Sequence, residues 1–85
     1  MASYKLLLRK SVARDLRPLP QKDLKRVLMR IESLAQNPRP VGCEKLSGQE
    51  RYRVRQGVYR IVYEVSDSVV TITVVKVGHR RQVYQ

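Results

Sequence analysis

With 85 residues, 18 Lys+Arg against seven Asp+Glu and a formal charge of +11, the chain is small and strongly basic. That length points to one domain over residues 1–85 and excludes a two-domain enzyme built around a large substrate cavity. A hydrophobic share of 42% sets it apart from a disordered polycation, so the excess charge points to a partner rich in phosphate or carboxylate.

Tyr4 to Leu8 reads as a short strand. Ser11 is a candidate N-cap for a helix carrying Val12, Leu16 and Leu19. Pro18 and Pro20 break that helix and open the next, because proline is tolerated in a first helical turn. In the second helix Leu24, Val27, Leu28, Ile31, Leu34 and Ala35 follow the i, i+3, i+4, i+7 spacing of one apolar stripe, with Lys22, Lys25, Arg26, Arg30 and Glu32 on other faces. Asn37-Pro38 ends it, Pro40 and Gly42 extend the break, and residues 44–48 read as a loop. From Arg51 the period changes to two. Tyr52 and Val54 alternate with Arg53 and Arg55; after a tight turn at Gln56-Gly57, Tyr59, Ile61, Tyr63 and Val65 alternate with Arg60, Val62 and Glu64. Ser66-Asp67-Ser68 turns again, Val69 to Val77 is a third β-branched run, and Gly78 to Gln85 is a basic tail. The expected fold is α+β: two helices packed on an antiparallel sheet of about four strands, in the order β-α-α-β-β-β.

Cys43 and His79 are the single cysteine and histidine, so neither a disulfide framework nor a Cys/His metal cluster can be assembled within the chain. No signal peptide is visible, and no apolar run approaches the roughly 20 residues that span a bilayer. The chain is therefore expected to be cytoplasmic and to have no membrane role.

Arg53, Arg55 and Arg60 are expected on one side of the hairpin, with no acid between Arg51 and Arg60. Like charges on adjacent strands repel. A solvated face that resists edge aggregation is one explanation. An anion cradle is the other, since guanidinium forks grip phosphate bidentately and stay charged at any working pH. The tail adds His79 beside Arg80 and Arg81, with Tyr84 following, and so offers a proton-transfer group near a phosphate site.

Three runs together carry a family resemblance: Tyr52-Arg53-Val54-Arg55, Gly57-Val58-Tyr59-Arg60-Ile61-Val62-Tyr63, and Val77-Gly78-His79-Arg80-Arg81-Gln82-Val83-Tyr84. With the leading strand and the helix pair ending at Asn37-Pro38, the chain resembles the RelE branch of the RelE/ParE toxin superfamily over nearly its whole length. The resemblance implies a type II toxin that cleaves messenger RNA in the ribosomal 30S A site by 2′-hydroxyl transesterification, needing no metal or other cofactor. It also implies a cognate antitoxin, and operator DNA as a ligand of the toxin–antitoxin complex. Carried onto this chain, it gives Arg60 the scissile phosphate, Arg80 the transition state and Tyr84 base stacking or proton transfer. Arg53 and Arg55 fall on two basic positions that are often lysine in the family, and Arg81 adds phosphate-binding charge.

Arginine cannot act as a base at those two positions, so Arg53 and Arg55 are restricted to electrostatic stabilisation. Three candidates for the base remain: His79 first, because imidazole titrates near neutrality; then Glu44, by likeness to family branches with a glutamate in that loop; then Tyr84. Some relatives continue into a final helix displaced by the antitoxin. This chain stops one residue after Tyr84, so an antitoxin is expected to cover the arginine face or wrap the helices. Two alternatives stand beside the nuclease: a ParE-like toxin that inhibits DNA gyrase without cleaving RNA, and a nucleic-acid-binding accessory domain.

Overall fold

The computed structural model describes residues 3–46 and 50–79, so Arg80, Arg81 and Tyr84 lie outside the described residues. The elements are β1 (Lys5–Leu8), α1 (Lys10–Leu16), α2 (Gln21–Gln36), β2 (Glu44–Leu46), β3 (Arg51–Gln56), β4 (Tyr59–Ser66) and β5 (Thr71–His79). They build two helices on a five-stranded sheet of order β1-β5-β4-β3-β2. The chain leaves β1 at one edge, runs through both helices, and enters β2 at the other edge. Three antiparallel steps then bring β5 back beside β1, and this last pair is parallel.

The α+β class is as expected, and the sheet differs in two particulars. Glu44–Leu46, expected as loop, pairs with Arg51–Arg53 as a fifth strand. Three residues, two of them charged, are too few to show a period. The β1–β5 pair is parallel because two helices separate β1 from the rest, a crossover that returns the chain in the same direction. Both edge strands are short, which limits pairing with other chains.

Val27, Ile31 and Leu34 of α2, with Val12 of α1, close over Tyr52, Val54, Ile61, Tyr63, Val65, Ile72, Val74 and Val77. Leu28, expected on that stripe, is 38% exposed, so the buried stripe is narrower than the apolar spacing suggests. Ser11 does not cap α1: the cap position is Arg9, with no side-chain hydrogen bond. Val69 and Val70 lie in the turn before β5, where Val70 takes a positive φ of 50°.

Tyr63 anchors the core. It is fully buried, stacks on Tyr52 with ring centroids 5.8 Å apart, and its hydroxyl donates to the Pro38 carbonyl at 2.6 Å. Burial pushes its phenol well above the ordinary value, so it stays a neutral donor. Tyr63→Ala is expected to cost about 3–5 kcal/mol, as for other large-to-small aromatic changes. Tyr63→Phe keeps the ring and is expected to cost about 1 kcal/mol. Urea unfolding of the two variants separates these contributions; equal losses would contradict a packing role for the ring.

Candidate active site

The site grows from one turn. Gln56 pairs with Tyr59, leaving Gly57 and Val58 as a two-residue loop. Gly57 has φ +61°, which suits a hairpin turn with a glycine at its first central position. This turn fixes the register, setting Arg51 opposite Glu64, Arg53 opposite Val62, and Arg55 opposite Arg60. Because side chains alternate, these six residues share the face of the sheet away from the helices. The β2 register puts Glu44 beside Arg53 on that face, and the β5 register adds Lys76 and Gly78. Val62 is buried to 6% exposure between Arg53 and Lys76 in register, whose aliphatic stems are long enough to lie over it.

The acids on this face are already engaged. Glu64 accepts from Arg51 Nε at 3.2 Å and lies 3.7 Å from Arg9. Glu44 accepts from Arg53 Nε at 3.1 Å. Arg53 is only 16% exposed in its side chain and Glu44 54%, so the pair turns the carboxylate outward. The Arg53 hydrogen bond, with further pull from Arg55 and Arg60, holds the Glu44 carboxyl below its ordinary value. Arg55 makes no ion pair among the described residues. In register, Arg55 and Arg60 stand directly opposite one another, so two cationic side chains share this end of the face. Arg53, Arg55 and Arg60 share one side of the hairpin, and β2 brings Glu44 to the same face.

His79 is not brought to them. It pairs with Tyr59, and their rings meet edge-on at 6.2 Å. It belongs to the helix-side face, lining a cleft of about 300 Å3 with Arg14, Asp15, Leu19 and Tyr59. The cause is a bulge. Val62 pairs with Lys76 but Tyr63 with Val74, so Val75 is an extra residue in β5. Strict alternation from Ile72 and Val74 would have placed Val77 and His79 on the arginine face. The bulge reverses that, and Val77 is 1% exposed in the core. Asp15 of α1 accepts from the Val77 N–H at 3.1 Å and so braces the strand just past the bulge. Lys76 is the signal that could have revealed the shift, since unbroken alternation would bury a lysine.

Among the described residues, no group of three or more His, Cys, Asp or Glu gathers to hold a metal, and no helix is long and apolar enough to cross a membrane.

A second network lies at the other end of the strands. Arg39 donates from Nη2 to Asp67 at 2.9 Å and from Nε to the Tyr52 hydroxyl at 2.9 Å, while Tyr4 donates to Asp67 at 2.7 Å. The Arg39 and then the Tyr4 hydrogen bonds hold the Asp67 carboxyl below its ordinary value. Asp67 and Glu44 therefore bind protons more weakly folded than unfolded. Their contribution is present above the ordinary carboxylate range and is lost as pH falls through the depressed folded values. Melting temperature is expected to drop below about pH 4, with a shallower acid limb in Asp67→Asn. An unchanged acid limb in that variant would contradict the assignment. Added salt is expected to weaken the effect, because the pair is largely exposed.

Comparison with known proteins agrees with the fold. The sequence pattern of the family described as "ParE toxin of type II toxin-antitoxin system, parDE" matches residues 6–84. RelE1 of Methanocaldococcus jannaschii is 33% identical over 86 residues, covering 96% of each chain. The toxin RelG of Mycobacterium tuberculosis is 32% identical over 76 residues, covering 85% of each. The toxin–antitoxin complex RelBE2 of Mycobacterium tuberculosis superimposes with a TM-score of 0.82 at 26% identity, covering 94% of each chain. Two helices on a five-stranded mixed sheet are the α+β fold of these neighbours. The chain belongs to the RelE/ParE superfamily of toxins from type II toxin–antitoxin systems, and its similar relatives carry RelE-type names.

Proposed function

We propose that this toxin is a ribosome-dependent endoribonuclease whose active site is the open face of the sheet. The observation that carries this is the gathering of Glu44, Arg53, Arg55 and Arg60 on that face, with the Glu44 carboxylate 54% exposed and held by Arg53. A scissile phosphate seated between Arg55 and Arg60 would be gripped by two guanidinium groups. Glu44 takes the proton from the 2′-hydroxyl, that oxygen attacks phosphorus, and the bond to the 5′-oxygen breaks as that oxygen takes a proton from water or from Tyr84. The products are a 2′,3′-cyclic phosphate and a 5′-hydroxyl. Arg53 holds Glu44 in place, and Arg55 and Arg60 stabilise the charge that builds on the phosphoryl oxygens. Arg80 and Tyr84 are assigned to the transition state and to the leaving oxygen or base stack, with Arg81 adding phosphate contact; all three lie outside the described residues.

Glu44 replaces His79 as the preferred base because His79 belongs to the opposite face. The clefts described among residues 3–46 and 50–79 are open to solvent, and the 30S A site and messenger RNA are proposed to supply the remaining geometry. The toxin–antitoxin complex of its relative supports a cognate antitoxin as partner. Operator DNA as a ligand of that complex and the cytoplasm as its location are part of the same proposal.

The description of the matching family favours a second reading, a ParE-like inhibitor of DNA gyrase. Primer extension on a translated message after induction tells them apart. Cuts within A-site codons are the expected result. Intact messages with accumulating relaxed plasmid would select the gyrase reading.

A further inference from the structure

The edge of the arginine face continues into a cleft of about 520 Å3 lined by Arg30, Gly42, Cys43, Glu44 and Arg55. Its walls come from α2, from the approach to β2, and from β3. Arg30 reaches it from the helix layer. Its Nε is buried and has no hydrogen-bond partner among the described residues. A desolvated guanidinium N–H left unmet is an unfavourable arrangement that an acceptor oxygen would relieve. Arg55, across the cleft, makes no ion pair among the described residues. Among the described residues of the lining Glu44 is the one acid, and Arg53 offsets its charge. Gly42 adds no side chain, and a Cβ built there would meet nothing within 4 Å, so the approach is open. The cleft is therefore cationic and open to solvent, and one of its lining arginines, Arg30, carries a buried Nε with no partner among the described residues.

We propose that this cleft takes the phosphodiester next to the scissile one in a single-stranded RNA, held between Arg30 and Arg55. The inference rests on the endoribonuclease reading and adds a binding residue to it. The RNA backbone turns over the β2 edge, with Glu44 between the two phosphates and within reach of the 2′-hydroxyl. Arg30 then serves as a positioning residue, since it grips a neighbouring phosphate and touches no reacting atom. Its place in the sequence, on a polar face of α2, gives no sign of this.

Cys43 supplies the probe, being the single cysteine of the chain and part of the cleft lining. Its alkylation by neutral iodoacetamide is followed at low salt with and without a 2′-O-methyl oligoribonucleotide, which binds but lacks the attacking hydroxyl. RNA binding is measured in parallel by fluorescence anisotropy across a salt series. The expected result is slower alkylation in the presence of RNA, with the protection lost in Arg30→Gln. Arg30→Gln is also expected to reduce the slope of log affinity against log salt by about 0.7, the share of one single-strand phosphate contact. Arg30→Lys keeps the charge and restores the slope, and Lys25→Gln, exposed elsewhere on α2, leaves it unchanged.

If RNA binds in an Arg60-dependent way while Cys43 stays equally reactive and Arg30→Gln keeps its slope, the cleft proposal is overturned and the endoribonuclease reading stands. Failure of the wild type to protect Cys43 or bind RNA at all would overturn the cleft proposal, while the ribosome-dependent reading is decided separately by the primer-extension cuts. Equal protection by inorganic phosphate at the same concentration would overturn the RNA assignment in favour of a free-anion site.

Discussion

Arg60→Ala is expected to slow single-turnover cleavage of ribosome-bound message about 10²–10³-fold, the usual loss when one preorganised donor to a developing oxyanion is removed. Arg60 sits two residues after the hairpin loop, opposite Arg55 and half-buried, where its field is less screened than on an open loop. The effect is expected in kcat, because the contact strengthens as charge moves onto the phosphoryl oxygens. Arg60→Lys is expected to recover only part of the rate, since an ammonium keeps the charge but loses the planar fork. Far-ultraviolet circular dichroism and urea midpoints close to wild type would tie the loss to chemistry. Full-rate cleavage by a folded Arg60→Ala protein would contradict the proposed site.

Glu44→Gln is expected to lower the rate by about 10²–10⁴, the range for loss of a positioned general base. In the wild type the Arg53 hydrogen bond keeps Glu44 ionised down to acidic pH. A base must be deprotonated to act, so the rate rises with pH through its depressed value and is flat near neutrality as far as Glu44 governs it. The same arginines make it a weaker base in the free protein. A bound phosphate engages Arg55 and Arg60, relieves part of that pull, and raises the basicity of Glu44 when substrate is present. The variant is expected to lose the acid limb as well as the rate; retention of both would exclude Glu44.

The hairpin was the most legible part of the sequence. Alternation from Tyr52 to Val65, and the glycine at the turn, set register and face together, and with them Arg53, Arg55 and Arg60. The second helix was legible for the same reason, its termini marked by Pro20 and Asn37-Pro38. What escaped was whatever leaves no period in the segment itself. β2 exists because β3 offers it an edge, not through any period of its own. The parallel β1–β5 pair depends on how two helices return the chain.

His79 shows the cost of a single irregular residue. A one-residue shift in a strand sends every later side chain to the other face. Val75 makes that shift, and the favoured base moves away from the arginines. Glu44, ranked second from sequence, arrives on their face through a strand that was expected to be loop. The spacing of α2 sets Arg30 off its apolar stripe and goes no further, because periodicity cannot tell which charged residue a neighbouring segment will bury.

The two faces of the sheet provide the most direct measurement: single-turnover cleavage of an A-site codon by His79→Gln set against Glu44→Gln under identical conditions. The open-face assignment predicts that His79→Gln stays within a few-fold of wild type while Glu44→Gln loses at least about 10²-fold. A severe loss in His79→Gln with near-normal cleavage by Glu44→Gln would contradict it and move the chemistry to the helix side of the sheet.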